Sequence, residues 1–593
     1  MKHIKWIKSL GLLLFLIGFV LFNISFFWSD YRLSSEVVQE KIADSGKAQE
    51  FLTAAKNLTS DPGTSNFSFV HQLQTAFEQV NQQQIEKYGF SEAELEKLLS
   101  LNPATFSLLT VDSVVTGNEE QQAFKRKAFQ DYGNWLEGQP VTRELLHQVA
   151  DNIKKYGIIS RYGFDRYAIK DLSYSLTKAS ASSPVKDHPI LFLFLTIGVC
   201  IIGALLYILP KLSLPEGIKN NGIFFNAMKN VQWLGILTGT WLIAFYILLY
   251  FYPEYMTNWV ILVDPISRLL SGHEAGRFFL YGFIYTLCIL VMGVRMLIHY
   301  RHSKYQMLRT ASVMFFQTAF AFLIPEIMIR LNQPYFDFKN IWPLDYSFFF
   351  DNRLDTLLAN GGLGIFMLGW GIALIVIGVP VFVYFFGKRW YCSWVCGCGG
   401  LAETLGDPFR QLSDKSVKAW KVERWMIHAV LVFAVVMTAG VLYTYFTGES
   451  RVLFFDSYQM REWYGAFIGA GFAGVVGTGF YPLMGNRVWC RFGCPLAAYL
   501  GIIQRFKSRF RITTNGGQCI SCGNCSTYCE MGIDVRWYAQ RGQNIVRSSC
   551  VGCGVCSSVC PRGVLNLEVK EEDGRFGQPI LIGNNGVKLS DQA

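Results

Sequence analysis

The sequence predicts a predominantly α-helical, polytopic membrane protein with about eight spans, an extracytoplasmic helical domain and a C-terminal cytoplasmic α+β domain. Three observations support this fold class. Of the 593 residues, 51% are hydrophobic and 15% are aromatic, more than an ordinary soluble chain carries. Apolar runs of about 20 residues, long enough to cross a hydrocarbon core about 30 Å thick, recur along the chain. All 15 cysteines follow residue 199, so the N-terminal third is not a disulfide-stabilised scaffold.

The first predicted span follows three lysines and continues in bulky residues up to Trp28, with no small-residue cleavage site. Residues 1–28 are therefore predicted to be an uncleaved membrane anchor. The eighth predicted span is rich in glycine, which would let other helices approach it closely. The eight spans are predicted near residues 10–27, 189–209, 232–252, 278–298, 310–329, 363–386, 426–446 and 465–484.

The short loops predict the orientation of these spans. Lys and Arg are in excess in the segments 211–222, 295–309 and 415–424, so these segments are expected in the cytoplasm. Both termini are then cytoplasmic, residues 29–187 are extracytoplasmic, and the expected location is a bacterial inner membrane. The same rule explains the net charge of +10. Because no basic helix or stacking platform accompanies the charge, the expected partner is the lipid bilayer and not a nucleic acid.

Residues 29–187 read as an external helical domain. A capping-box pattern, Ser91 with Glu94, opens one helix, and residues 142–157 carry apolar positions at helical spacing up to a terminal glycine. Residues 176–187 look like a linker to the second span. With no catalytic constellation in sight, the domain is predicted to dock or sense a protein redox partner.

The loop 259–272, WVILVDPISRLLSG, is apolar but too short to span a bilayer, so it is expected to lie in the interface or to re-enter the membrane. Asp264 in this loop has two readings. It could cap a short helix, which is the favoured reading, or it could serve a quinone or proton path near the external face.

Residues 513–570 contain two cysteine runs, CISCGNCSTYC and CVGCGVCSSVCP, each spaced C-x2-C-x2-C-x3-C. This spacing holds [4Fe–4S] clusters, and the fourth cysteine of each run binds the other cluster in two-cluster ferredoxins. A zinc site would instead pair two C-x2-C knuckles. Glu530 follows Cys529 where the pattern has proline, so the exit of the first run is expected to differ from that at Pro561. The predicted ligands are Cys519, Cys522, Cys525 and Cys560 for cluster A, and Cys550, Cys553, Cys556 and Cys529 for cluster B.

Basic residues between positions 505 and 511 precede this domain and are expected to lie against anionic headgroups. Residues 571–593 form a C-terminal tail.

A repeat lies in the membrane half. RWYCSWVCGCGGLAETLG (389–406) and RVWCRFGCPLAAYLG (487–501) share Arg-x2-Cys-x3-Cys followed by Leu-Ala-x2-Leu-Gly. Cys392 and Cys396 thus recur 98 residues later as Cys490 and Cys494; we call these four the membrane-edge cysteines. Each copy follows a predicted outside-to-inside span. Spans 5–6 and 7–8 are therefore predicted to be parallel repeats. The predicted membrane segments are residues 188–330, with spans 2–5, and residues 331–512, with spans 6–8 and the paired cysteine motifs.

The membrane-edge cysteines have three chemical interpretations. Four thiolates suffice for a third iron–sulfur centre, soft thiolates also bind or reduce copper, and two thiol pairs could cycle as dithiols. Arg389 and Arg491 are the basic neighbours expected to favour thiolate. Cys398, inside the first copy only, is a possible extra ligand.

Haem is not expected. The chain has no C-x2-C-H motif, and lone histidines at helix boundaries are more often interfacial residues than axial ligands. Any pair of axial ligands would come from four histidines near predicted helix ends, which are His188, His273, His299 and His428.

Paired cysteine motifs after apolar spans, followed by a two-cluster domain, resemble the membrane polyferredoxins of the NapH/NosR type and, in the same elements, the copper reductase family of cytochrome-oxidase assembly. The resemblance covers roughly residues 230–570 and matches the four membrane-edge cysteines and the eight ferredoxin cysteines position by position. Two departures stand out: the first motif continues as Gly397–Cys398 instead of proline, and the S/T-G-A-T-like flavin attachment sequence is missing, so covalent FMN is not expected.

The resemblance implies membrane-bound electron transfer between a cytoplasmic or quinol donor and a partner at the outer face. The alternatives are a copper or metal reductase or metalloenzyme maturation factor, and a redox-sensing regulator.

Overall fold

The computed structural model describes residues 2–56, 58, 65–101, 109–136, 142–217, 233–449, 451–452, 455–569, 581–583 and 586–588. Helix accounts for 74% of it, which confirms the predicted α class. The chain forms two compact units. The first comprises residues 1–20, 193–251 and 263–593, and the second comprises residues 21–192 and 252–262. Most of the predicted tail, residues 571–593, lies outside the described residues.

Seven helices of the described chain are long and apolar enough to cross a membrane, and they coincide with the first seven predicted spans. The eighth predicted span lies in the helix Tyr464–Val476 and two short helices after it, Gly477–Gly479 and Tyr481–Met484. The backbone is helical without a break from Ser457 to Gly479 and turns at Phe480, ahead of Pro482. An eighth crossing stays a prediction. The seven helices are His3–Ser25, Pro189–Ser213, Trp233–Phe251, Arg277–His299, Lys304–Arg330, Gly361–Phe386 and Val417–Thr447.

The rest of the first unit consists of shorter elements at the ends of these helices. They place the cysteine motifs and the C-terminal domain. The helices are Asp264–Leu270, Asp351–Ala359, Arg389–Cys392, Gly397–Thr404, Asp407–Leu412, Ser457–Trp463, Trp489–Gly493, Pro495–Lys507, Gly516–Gln518, Asn524–Thr527, Val535–Gln540 and Val555–Ser558. The strands are Arg451–Val452, Phe455–Asp456, Phe510–Thr514, Leu565–Val569, Leu581–Gly583 and Gly586–Lys588.

The second unit is a helical domain closed by a short sheet of two strands, Asp30–Tyr31 and Ala181–Ser182, which pair antiparallel. Its helices are Ser35–Lys41, Ser45–Ala54, Asn66–Tyr88, Glu92–Leu101, Leu109–Asp112, Glu119–Gly133, Asn134–Leu136, Arg143–Asn152, Ile153–Ile159, Ser160–Tyr162, Arg166–Ser180, Pro184–Asp187, Pro253–Met256 and Thr257–Leu262.

The predicted capping box of this domain is confirmed. The Glu94 backbone N–H donates to Ser91 Oγ at 3.3 Å, and the Ser91 backbone N–H donates to the Glu94 carboxylate at 2.8 Å. The same carboxylate accepts from Lys125 Nζ at 2.9 Å and from Thr116 Oγ1 at 2.6 Å. Burial alone would raise the pKa of Glu94, but the Thr116 and Lys125 hydrogen bonds outweigh burial and hold the pKa at about 2.

Two local predictions in this domain are wrong. The helix that begins at Arg143 does not end at Gly157; it continues as the π-helix Ile153–Ile159, because Gly157 packs beside Phe124 and Tyr132 instead of starting a turn. The predicted linker 176–187 is ordered: it holds the end of one helix, a paired strand and a further short helix, and Leu176 is completely buried.

The apolar loop 259–272 is divided between the two units. Its first residues belong to the helix Thr257–Leu262, which is buried throughout, and the interfacial or re-entrant placement of the loop stays a prediction. The Trp259 indole N–H donates to the carbonyl of Phe22 at 2.8 Å. Asp264 begins the helix Asp264–Leu270 but does not cap it; its carboxylate accepts from the Ala275 backbone N–H at 2.8 Å.

The C-terminal domain is built on an antiparallel pair, Phe510–Thr514 with Leu565–Val569, in which Phe510 faces Val569 and Thr514 faces Leu565. The first strand begins inside the segment that was expected to lie against headgroups, and Arg511 is buried at 8% exposure. That expectation is therefore wrong for Arg511, because strand pairing takes this residue into the domain.

Candidate metal centres

The two C-terminal cysteine runs fold into two equivalent loops, offset by 31 residues. Gly523 and Gly554 have φ of 81° and 74°, and each caps a short helix that carries the third cysteine of its run. The left-handed backbone requires glycine here and turns the preceding loop back toward the helix. The Gly523 carbonyl accepts from the Thr527 N–H at 3.0 Å, and the Gly554 carbonyl accepts from the Ser558 N–H at 3.1 Å.

Each loop pair encloses a small cavity lined by one predicted ligand set. We call them cavity A and cavity B. Each takes three cysteines from one run and the fourth from the other, as the crossed ligand pattern requires; their role as ligands stays a prediction. Cavity A is lined by Cys519, Cys522, Cys525 and Cys560. Cavity B is lined by Cys550, Cys553, Cys556 and Cys529.

Glu530 does not change the exit of the first run, contrary to expectation. Cys529 N–H donates to Ser526 at 3.2 Å, and Cys560 N–H donates to Ser557 at 3.3 Å. After each run a glycine N–H, from Gly532 and Gly563, donates back to the fourth cysteine at 3.2 Å. The turns are therefore the same whether glutamate or proline follows the cysteine.

The two membrane-edge motifs also adopt one geometry. The Cys396 N–H donates to the Tyr391 carbonyl at 2.8 Å, and 98 residues on the Cys494 N–H donates to the Trp489 carbonyl at 2.9 Å. Cys396 and Cys494 then cap the helices Gly397–Thr404 and Pro495–Lys507.

The sulfurs of both capping cysteines lie at helix N-termini. Cys494 Sγ accepts from the Ala497 N–H at 3.4 Å, and Cys396 Sγ receives the corresponding N–H of Gly399. The positive end of a helix dipole stabilises a thiolate or an anionic metal–sulfur group at this position.

Cavity C lies between the two motifs and brings all four membrane-edge cysteines together, each no more than 7% exposed. Cys398 lies on the same wall. Its counterpart at the 98-residue spacing is Leu496, which also lines the cavity. Cys398 thus occupies a position that the second copy fills with an apolar side chain. The four membrane-edge cysteines are Cys392, Cys396, Cys490 and Cys494.

The chemistry of cavity C suits a soft metal. Its described lining consists of sulfur and apolar or aromatic groups, without a carboxylate or an imidazole. Burial raises the pKa of Cys392 to about 12, so a charged thiolate there needs a positive partner. Iron–sulfur clusters and Cu(I) meet this need, whereas hard cations prefer oxygen ligands.

One continuous apolar core holds the walls of all three cavities. It contains buried cysteines of cavity C, such as Cys392 and Cys490, together with Cys525 of cavity A and Cys550 of cavity B. Hydrogen bonds fasten the cavity B loop to the motif region: Ser393 Oγ donates to Val551 O at 2.8 Å and Gln504 donates to Cys550 O at 2.9 Å. The four membrane-edge cysteines are buried in this arrangement, whereas Cys522 of cavity A is exposed.

A buried ion-pair network beside the cavities was not predicted from the sequence. Arg487 is 1% exposed and donates to Glu403 at 2.6 Å, to the Cys392 carbonyl at 3.3 Å and to Cys490 Sγ at 3.7 Å. The repeat itself held the signal, because Arg487 is the first residue of the second motif.

Glu530 joins the same network. Its carboxylate pairs with Arg410 at 2.7 Å and with Arg487 at 3.0 Å, and no part of these side chains is exposed. Glu403 completes the cluster through Arg309 and Arg410. Burial opposes ionisation of Glu403, but the three arginines outweigh it and hold its pKa well below the ordinary range.

The basic neighbours predicted for the thiols are placed differently. Arg389 lies 4.4 Å from the Phe510 ring centre, and Arg491 pairs with Glu423 at 2.7 Å. The residues whose charge acts on Cys392 are instead Lys388 and Arg487. The difference follows from their contacts. Arg389 covers an aromatic ring, whereas Arg487 is buried and pairs with two carboxylates.

The histidines considered for haem have other contacts. His299 Nδ1 lies 3.6 Å from Asp407, and His428 Nδ1 lies 2.5 Å from the Arg424 carbonyl. The backbone N–H of His188 donates to Pro184, and that of His273 donates to Ser271 Oγ at 3.3 Å.

Comparisons with known proteins agree with this geometry. Residues 368–416 and 465–513 each match the 4Fe-4S binding domain family, so the two membrane-edge motifs fall in separate matches to one family. Residues 518–565 match the 4Fe-4S dicluster domain family. No solved structure matches.

Three curated relatives are ferredoxin-type or electron transport proteins by name. The electron transport protein YccM of Escherichia coli K12 is 26% identical over 172 residues, which is 28% of this chain and 46% of YccM. The methylamine utilization ferredoxin-type protein MauN of Methylobacillus flagellatus is 26% identical over 26% of this chain and 51% of its own length. MauN of Paracoccus denitrificans is 27% identical over 27% of this chain and 56% of its own length. The chain thus spans about half the length of these relatives. Together, the matches to iron–sulfur domain families, the three relatives and the apolar helices support a membrane polyferredoxin-type protein.

Proposed function

We propose that the protein carries electrons at the cytoplasmic face of a bacterial inner membrane, between a cytoplasmic or quinol donor and a protein partner at the outer face. Two [4Fe–4S] clusters are held by the cysteines of cavities A and B, and a third iron–sulfur centre by the membrane-edge cysteines. The observation that supports this most directly is the presence of three sulfur-lined cavities within one apolar core.

Iron–sulfur clusters supply one-electron chemistry, and the protein tunes their potential through burial, charge and hydrogen bonds to sulfur. Here the chain does three things. It crosses the cysteine runs so that each cavity receives four thiols, it directs helix N–H groups at Cys396 and Cys494, and it places Arg487 beside Cys490. Donors and positive charge next to sulfur stabilise the reduced, more negative state.

The orientation and partners rest on the loop charges and on the second unit. Positive-inside topology puts both termini and all three cavities on the cytoplasmic side and residues 29–187 outside. The external domain is then the surface on which a redox partner docks. The described part of that domain has a packed helical core and contains no cysteine.

A copper or metal reductase is the second candidate function. It is favoured by Cys398, a fifth thiol on the wall of cavity C, because a four-thiolate iron–sulfur centre leaves this thiol over and soft thiolates select Cu(I).

Metal analysis of the purified protein distinguishes these functions. Three [4Fe–4S] clusters require about 12 iron atoms per chain, and Cys494→Ser is expected to reduce this to about 8 with loss of one EPR signal. Cys288→Ser is the matched control, since Cys288 is half-buried in a span and lines none of the three cavities. Unchanged iron with lost copper would favour the copper reductase, and zinc in place of iron would refute both functions.

A further inference from the structure

A fourth, larger cavity of about 530 Å³ lies beside the sulfur-lined ones. Its walls come from the beginning of the helix Val417–Thr447, from the helix Pro495–Lys507 and from residues 531–549 of the C-terminal domain. We call it the basic cavity. Neither of the proposed metal-binding roles of the chain uses it.

Positive charge dominates its lining. Six Lys or Arg side chains face two carboxylates, Glu423 and Asp534, and Glu423 is already paired with Arg491. Three serines add further hydrogen-bond donors. An uncharged occupant would leave this excess charge without a counter-ion. The basic residues are Lys388, Lys415, Arg424, Arg491, Arg505 and Arg547.

Arg491 supplies a donor that the described chain does not satisfy. Its side chain is 3% exposed; Nε donates to Glu423 and Nη1 to the Asp414 carbonyl, both at 2.7 Å, while Nη2 has no partner in the part of the chain that the structure describes. Gly532, at φ 65°, makes room for the guanidinium, since a Cβ there would lie 2.5 Å from its central carbon. Leaving a buried charged donor unpaired is costly, so the site is built for an acceptor.

Aromatic rings position further guanidinium groups at this wall. Arg547 and Arg424 lie 5.0 and 5.6 Å from the ring centre of Trp420, which also lines the cavity. Rings that hold guanidinium groups in place reduce the entropy lost when these groups bind a ligand.

The basic cavity shares a wall with the proposed third centre. Cys490 lines both the basic cavity and cavity C. Lys415 lines the basic cavity and interacts electrostatically with Cys529 of cavity B. A charged occupant would therefore act on ligands of two proposed centres.

We propose that the basic cavity binds a phosphate group and that its negative charge lowers the reduction potential of the adjacent centre. A phosphate offers several acceptor oxygens, which match the forked donors of arginine. Its one or two negative charges match the excess of basic residues over carboxylates. Two sources share this chemistry: an anionic phospholipid headgroup of the inner leaflet and a soluble nucleotide. The binding step does not depend on the proposed function; the potential change rests on the third centre.

Calorimetric titration of the delipidated, cluster-loaded protein in a neutral detergent tests the binding. The probes are inorganic pyrophosphate, ADP and dihexanoyl phosphatidylglycerol. Pyrophosphate is expected to bind, with at least tenfold weaker affinity in Arg491→Gln and in Arg547→Gln. Arg547 is half-buried, so its variant is the safeguard if Arg491→Gln does not fold. Lys421→Gln is the matched control, because Lys421 lies on the same helix as Arg424 but does not line the cavity.

The other two probes identify the source: tighter binding of phosphatidylglycerol assigns a lipid, and tighter binding of ADP assigns a nucleotide. Absent pyrophosphate binding, or equal binding by wild type and both arginine variants, overturns the proposal. The proposal is also overturned if a short-chain quinone binds in the basic cavity, with weaker binding in the arginine variants, and pyrophosphate does not compete with it. An EPR redox titration with pyrophosphate should move the third centre to a more negative potential in wild type and not in Arg547→Gln. If binding occurs but no third centre exists, only the potential change fails.

Discussion

At the scale of single residues, Glu530 has the most distinctive position. The equivalent turn of the second run carries Pro561, and the backbone is the same in both, so the glutamate is not there to shape the turn. Its carboxylate instead pairs with Arg487, the first residue of the second motif, and with Arg410, which follows the first motif. The residue therefore connects the cavity B loop to the motif region by buried charge.

Glu530→Gln is expected to destabilise the docking of the C-terminal domain by about 3–5 kcal/mol, because it leaves two buried arginines short of a carboxylate. Iron content after mild heating should fall in this variant. Glu568→Gln is the control, since Glu568 is a partly buried glutamate of the same domain whose carboxylate accepts a hydrogen bond from the Asn566 side chain. Equal iron retention in both variants would contradict the assigned role.

Cys398→Ser is expected to leave the iron content and the EPR signals unchanged. The reason is its equivalence to Leu496, an apolar wall residue, whereas the four membrane-edge cysteines form equivalent pairs. Loss of about four iron atoms per chain would instead make Cys398 a ligand of the third centre.

At the scale of elements, short local patterns were the predictable ones. The capping box at Ser91, the repeat of the membrane-edge motif and the crossed cysteine sets follow from fixed spacings that force neighbouring atoms together. Elements decided by distant partners were not predictable. The strand Ala181–Ser182 exists because Asp30–Tyr31 lies beside it, and Gly157 stays helical because of the rings around it.

Glu94 allows a pH prediction for its element. Because the pKa of Glu94 is lowered from 4.5 to about 2, its stabilising contribution is present above pH 4.5 and is lost as the pH falls toward 2. Glu94→Gln should therefore speed amide hydrogen exchange in the helix Glu92–Leu101 strongly at pH 7 and much less near pH 2.5. Mass spectrometry of peptides from the full chain, corrected for intrinsic exchange, measures this. The exposed Glu92→Gln is the control, and a pH-independent effect would contradict the assignment.

At the scale of the whole molecule, hydropathy predicted seven helices well, because crossing a bilayer demands a long apolar helix whatever the tertiary contacts. The ion-pair network could not be predicted, because it joins residues from four separate segments that only the folded chain brings together. Arg309 and Glu530, for example, are more than 200 positions apart, and both contact the same small group of charges.

The proposed orientation predicts the behaviour of reporter fusions. A fluorescent protein fused after residue 593 should be fluorescent, and alkaline phosphatase fused there should be inactive. Alkaline phosphatase fused after residue 187 should be active, because that position is predicted to lie outside. The reverse pattern at either site would refute the positive-inside assignment.

Cavity C is formed by two motifs that lie far apart in the sequence, and this constrains how a centre in it can be assembled. Two of its four thiols are translated with the first motif and two with the second, 98 residues later. Until Cys494 has left the ribosome, a nascent chain holds only half of the donors, so a four-thiolate centre cannot be assembled co-translationally on the first motif alone. The C-terminal domain, synthesised still later, then contacts the first motif through the hydrogen bond from Ser393 to the Val551 carbonyl. A centre held by all four sulfurs therefore requires both motifs to have been synthesised and brought together by folding.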